Sequence, residues 1–78
     1  NNSLKIYPNP TKDEINIALD QTTIINQIDI FDQAGRKVET YSNASPIYTL
    51  SLKHLQKGVY TIKVITDETT FTQQIILN

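Results

Sequence analysis

Apolar residues in this chain recur at every second position, and that period admits little besides β-strands. Leu4 and Ile6 stand on either side of Lys5, Ile15, Ile17 and Leu19 are separated by Asn16 and Ala18, and Ile28 and Ile30 flank Asp29. Tyr48, Leu50 and Leu52 enclose Thr49 and Ser51, and Tyr60, Ile62 and Val64 enclose Thr61 and Lys63. Successive side chains of an extended chain point to opposite faces, so each run turns an apolar face to a core and a mostly polar one to water. No window keeps an apolar period of 3.6 residues through three turns. Residue types agree with the period: Ile, Val and Thr supply 25 of the 78 residues, and branching at Cβ favours the pleated surface. The last run, Thr69 to Leu77, closes on Ile75-Ile76-Leu77 and alternates less cleanly.

Between the runs lies turn chemistry. Asp32-Gln33-Ala34-Gly35 opens with a side chain that bonds its own backbone and closes with the residue that best tolerates a left-handed backbone, which predicts a hairpin with a bulge. Thr66-Asp67-Glu68-Thr69 separates two strand runs and predicts a second hairpin. Asp20-Gln21-Thr22 reads as the turn between strands two and three, Thr23 to Asn26 as the lead into the third, and Ser42-Asn43-Ala44-Ser45-Pro46 as a loop. About seven short strands at this spacing fit an all-β fold, an antiparallel sandwich of two sheets.

Size and charge narrow the functions open to such a fold. The 78 residues make one domain, 1–78. A chain of this length buries roughly 60% of the surface it exposes when unfolded, which leaves a thin core and little room for a catalytic cavity. Seven basic and eight acidic residues give a net charge of −1, which steers the chain toward neither nucleic acid nor acidic lipid. Without Cys there is neither a disulfide framework nor a thiolate metal site. The apolar run Ile75–Leu77 is far short of the ~20 residues that span a bilayer. Asn1-Asn2-Ser3 has none of the basic and apolar character of a signal peptide, so export would need preceding sequence, and a terminal piece of a longer protein is expected.

Two prolines bracket Asn9 directly after the first strand. Neither Pro8 nor Pro10 carries an N–H, and each presses its predecessor, Tyr7 or Asn9, toward extended geometry. The segment should end strand one and carry the chain stiffly to strand two, near Glu14. Because proline blocks further pairing, it can also shield a sheet edge.

Residues with chemical potential each have a plainer reading. His54, the single histidine, sits in a polar connector and cannot by itself build a multi-ligand zinc site. Asp29 and Asp32 are three apart where a strand enters a turn, so they point to different faces, whereas calcium needs about six or more oxygen ligands. Asp13-Glu14 and Asp67-Glu68 are adjacent pairs in turns, read as solvated, since paired catalytic carboxylates need a cleft between them. Arg36-Lys37 reads as a solvated strand start rather than an anion clamp. Leu55, Gly58 and Tyr60 fit the connector and inward tyrosine of a sandwich corner, a core device first. No metal, cofactor, nucleophile–base pair or phosphate loop is expected. With no Trp, 4 Tyr and 2 Phe the chain is poor in sugar-binding platforms. Tyr48 and Tyr60 are placed inward, and Tyr7 and Tyr41 remain as candidate exposed rings.

Three stretches, taken together and in order, carry a resemblance. They are Leu4-Lys5-Ile6-Tyr7-Pro8-Asn9-Pro10 before the strand Ile15-Asn16-Ile17, then Ile28-Asp29-Ile30-Phe31-Asp32-Gln33-Ala34-Gly35-Arg36-Lys37-Val38, then Leu52-Lys53-His54-Leu55-Gln56-Lys57-Gly58-Val59-Tyr60-Thr61-Ile62-Lys63-Val64. The chain resembles the type A C-terminal sorting domain of the type IX (Por) secretion system over nearly its whole length. That resemblance implies an immunoglobulin-like antiparallel sandwich of seven strands that is not a catalyst. It implies a C-terminal signal directing a larger N-terminal cargo across the outer membrane, recognised in the periplasm by the outer-membrane translocon. A sortase-like cysteine peptidase then removes the domain, and the cargo ends on the cell surface or in the medium. Tyr7, Pro8, Asn9, Pro10, Asp32, Gly35, Arg36, Leu55, Gly58, Tyr60, Ile75, Ile76 and Leu77 become recognition candidates on a domain expected to be monomeric. In the bacterial setting so implied, the glycosylation patterns Asn1-Asn2-Ser3 and Asn43-Ala44-Ser45 are coincidental. Two departures stand out: the end, Thr72 to Asn78, has no lysine, and Asp67-Glu68 lacks a turn glycine. The rival reading is a fibronectin-like spacer or carbohydrate-binding module of a secreted enzyme.

Overall fold

In the computed structural model, residues 4–19, 24–42 and 47–78 are described. Among them seven strands follow in chain order: β1 (Leu4–Tyr7), β2 (Glu14–Leu19), β3 (Ile25–Phe31), β4 (Lys37–Ser42), β5 (Ile47–Ser51), β6 (Gly58–Thr66) and β7 (Thr70–Leu77). They form two sheets, β1-β2-β5 and β4-β3-β6-β7, with every neighbouring pair antiparallel. The architecture is the expected immunoglobulin-like all-β sandwich.

Period-two patterning decides what lies between the sheets. Ile6, Ile15, Ile17, Leu50 and Leu52 come from the three-stranded side. Ile25, Ile28, Ile30, Tyr60, Ile62, Val64, Ile75 and Leu77 come from the four-stranded side. Each buried aliphatic side chain contributes roughly 1.5–3 kcal/mol through removal from water, so a core this small depends on nearly all of them. The last strand is better patterned than its sequence suggests. Phe71, Gln73, Ile75 and Leu77 alternate inward with Thr70, Thr72, Gln74 and Ile76 outward. Gln73 at an inner position and Ile76 at an outer one, 46% exposed, hide that regularity in the sequence.

Both hairpins form where expected. A bulge between Ile30 and Phe31 sets Phe31 opposite Lys37, and Gly35 adopts φ +88° in the turn. At the other end of the sheet Thr66 N–H donates to the Thr69 carbonyl at 2.8 Å, and the Thr66 hydroxyl accepts from Thr69 N–H at 3.0 Å. Asp29 departs from its sequence reading as a polar, outward residue. It does lie on the outer face, but Thr40 of β4 and Lys63 of β6 stand opposite it in the ladders and it is buried. Thr40 Oγ1 donates to it at 2.6 Å, Gln27 Nε2 at 2.9 Å, and Lys37 Nζ lies 3.6 Å away. Burial raises the Asp29 pKa, but the bonds from Thr40 and Gln27 and the Lys37 charge outweigh it, holding the carboxyl below its ordinary 3.8. Tyr41 is not the exposed ring anticipated, because it packs half-buried against the core. The turn at 20–22, the loop at 43–46, both glycosylation patterns and the side chain of Tyr48 lie outside the described residues.

Candidate functional site

The proline segment does more than end β1. Both Tyr7–Pro8 and Asn9–Pro10 bonds are cis, and the chain passes from the edge of one sheet to the edge of the other. There the Asn9 side chain stands in for a strand backbone: Ile76 N–H donates to its Oδ1 at 3.0 Å, and its Nδ2 donates to the Gln74 carbonyl at 3.1 Å. Thr11 continues with real backbone. Its N–H donates to the Ile76 carbonyl and its carbonyl accepts Asn78 N–H, both at 2.8 Å, in a parallel bridge to Leu77. The Thr11 hydroxyl accepts Glu14 N–H at 3.2 Å and donates to the Glu14 carbonyl, fixing the entry to β2. The terminal half of β7, otherwise an open edge, is thus covered by the crossover.

A second feature opens where the β3–β4 turn meets the β5–β6 connector. It is a cleft of about 270 Å³ lined by Asp32, Arg36, Gln56, Lys57, Gly58 and Tyr60, among others. Asp32 organises the turn. Its Oδ1 accepts N–H from Ala34 and Arg36, both at 2.9 Å, and its Oδ2 accepts Arg36 Nε at 2.9 Å. The Arg36 N–H is the strongest influence holding the Asp32 carboxyl below its ordinary value, opposed by partial desolvation and helped by the Arg36 guanidinium. Tyr60 is the inward tyrosine anticipated from Leu55, Gly58 and Tyr60, and its hydroxyl donates to the Gln56 carbonyl, as at a sandwich corner. Leu55 packs half-buried against the core, and its N–H closes a turn onto the Leu52 carbonyl at 3.0 Å.

One charged reading changes and another holds. Arg36 and Lys37 are not simply solvated, because Arg36 pairs with Asp32 and Lys37 with Asp29. His54 is exposed, yet its Nε2 lies 2.6 Å from Glu39 Oε2, tying the β5–β6 connector to β4.

These two features share one end of the sandwich. Ladder registers set Phe31 opposite Thr61 and Thr61 opposite Gln74, and Gly58, Val59 and Tyr60 face Leu77, Ile76 and Ile75. The close of β3, the opening of β6, the close of β7 and the Pro8–Asp13 crossover therefore lie side by side. All thirteen residues singled out from the sequence fall at this end, at the crossover edge, around the cleft or, for Gly35 and Leu55, in the turn and connector beside it. Sequence reading missed Thr11, whose buried place in a run of polar residues gave no signal, and Gln56 and Lys57, which reach the cleft only through the connector's path. Among the described residues no three His, Asp or Glu side chains gather to hold a metal ion.

The fold defines a small immunoglobulin-like module that brings parts of all three motifs to one end of the sandwich. A family model described as a secretion system C-terminal sorting domain matches residues 5–78, and the chain belongs to that family. It is a sorting signal for type IX secretion, carried by a cargo bound for the cell surface or the medium, and its family is not catalytic. The rival reading as a spacer or carbohydrate-binding module finds no support. Comparison with curated proteins gives no match.

Proposed function

We propose that the end bearing the three motifs is the face read by the export machinery. Ten of the thirteen residues gathered there form the recognition surface for the outer-membrane translocon, met in the periplasm, over Tyr60, Ile75 and Leu77, which are buried beneath it. A sortase-like cysteine peptidase then cuts between cargo and domain. The domain acts as a monomer and catalyses nothing itself. The supporting observation is the convergence: segments far apart in sequence lie side by side at one end. β1 runs from Leu4 toward that end, so a cargo joined ahead of Leu4 leaves from the opposite end and does not cover the motifs.

A transplant tests this. Residues 1–78 are fused to the C-terminus of a periplasmic fluorescent reporter, in a bacterium with the type IX system and in a translocon-deficient sibling. Reporter in the medium or on the surface of the first strain only, shortened by the mass of the domain, is expected. Reporter held in the periplasm of both strains refutes the proposal, and a fusion with an added terminal lysine pair shows whether the lysine-free tail is the cause.

A further inference from the structure

Charge is distributed unevenly over this small molecule, in a way its net charge conceals. Of the seven Lys and Arg residues, Lys12, Arg36, Lys37, Lys53 and Lys57 stand in the crossover, the β3–β4 turn and the β5–β6 connector, all at the motif end, where Asp13, Glu14 and Asp32 also lie and where Asp32 and Asp29 offset Arg36 and Lys37. The turn at the opposite end carries Asp67 and Glu68. Around the cleft the imbalance sharpens. Both oxygens of Asp32 are occupied by donors of its own turn, so its charge is spent within the hairpin. Arg36, with its side chain 80% exposed, gives only its Nε to Asp32 and keeps its terminal amino groups for another acceptor. Lys57 is exposed and has no carboxylate partner among the described residues. Because Gly58 faces Leu77 and Asn78 N–H bonds Thr11, Lys57 and Lys12 flank the close of β7 from its two sides.

Resting on the reading of this end as the recognition face, we propose that the cleft binds an acidic side chain on a short segment of a partner protein. Lys57 supplies the unpaired cation and the terminal amino groups of Arg36, not used by Asp32, supply further donors beside it in a cleft that Gln56 also lines. The shape favours a polypeptide over an anionic membrane or glycan sheet. A cleft of about 270 Å³ takes a side chain and a little backbone, and Asp13 and Glu14, exposed on the three-stranded side of the same end, repel a broad anionic surface.

The test uses the whole 78-residue chain, titrated with a short synthetic glutamate-rich peptide and, separately, with phosphatidylglycerol vesicles, while backbone amide shifts are followed. Expected are shifts confined to residues around Arg36 and Lys57 that weaken as salt rises, with no vesicle binding. K57E should weaken the peptide about tenfold or more. K5E, the same charge change on β1 away from this end, should leave it unaltered. Arg36→Gln is a second probe, and circular dichroism checks that each variant is folded. Equal binding by K57E and K5E, or vesicles outcompeting the peptide, overturns the inference. In the reporter fusion, loss of export with K57E but not K5E supports it. Export of the unaltered fusion together with undiminished export of K57E overturns this inference alone, whereas failure of the unaltered fusion is the failure of the recognition-face reading.

Discussion

Replacing Asn9 isolates the device that ties the crossover to the last strand. Ile76 stands opposite Val59 in the β6 ladder, but its N–H points to the free edge of β7, where Asn9 Oδ1 is its acceptor. Asn9→Ala removes that bond and the one from Nδ2 to the Gln74 carbonyl. The site is exposed and water can replace both partners, so each bond counts for its net worth of about 1 kcal/mol, and the pair for about 1–2. In a domain of this size that corresponds to a fall in Tm of roughly 4–16 °C. The more telling measurement is local. Amide exchange at Ile76, whose N–H loses its acceptor, should accelerate by about five- to thirtyfold or more. Asn9→Asp sharpens the test. Its carboxylate still accepts from Ile76 but sets negative charge against the Gln74 carbonyl, so Ile76 should stay protected while global stability falls. If Asn9→Ala leaves Ile76 exchange unchanged, Asn9 is not the acceptor that closes this edge, and the argument that the crossover covers β7 fails.

Gly35→Ala should cost about 1–2 kcal/mol, seen as a lower denaturation midpoint. Nothing lies within 4 Å of an added Cβ, so the penalty is that of φ +88° alone. Tyr60→Phe should lose about 1 kcal/mol by leaving the Gln56 carbonyl to water, with the core otherwise intact. Asp29→Ala should be worse, about 2–3 kcal/mol, because Thr40 and Gln27 lose their common acceptor in a buried place. The same carboxylate sets an acid limit. Its pKa in the fold is below 3.8, as is that of Asp32, so the stability each contributes is present above 3.8 and is lost as pH falls through the lower folded values. The contribution of these two carboxylates to unfolding free energy should fall below about pH 4, and Asp29→Asn should flatten that acid arm.

The alternation of Ile with polar residues was enough to place six of the seven strands, and turn chemistry placed both hairpins and with them β4, because a two-residue period and turn residues are local properties of the chain. It pointed to a two-sheet sandwich as well, one of the few ways in which seven half-apolar strands bury one face each. The motifs were legible as well, and with them the family. Beyond reach were contacts that depend on which strand ends share an end of the sandwich. Nothing in Pro8-Asn9-Pro10 says that Asn9 will serve the backbone of Gln74 and Ile76, over sixty residues away, because that depends on β7 reaching the edge beside the crossover. Asp29 reads as a solvated residue from its alternation, and only Thr40 and Lys63 in the neighbouring strands bury it. Lys12 and Lys57 were unremarkable as single residues in a chain of near-zero net charge. The registers of β6 with β7, and of Thr11 with the chain's last residues, set them on either side of one strand end, and charge acts through distance in space rather than along the sequence.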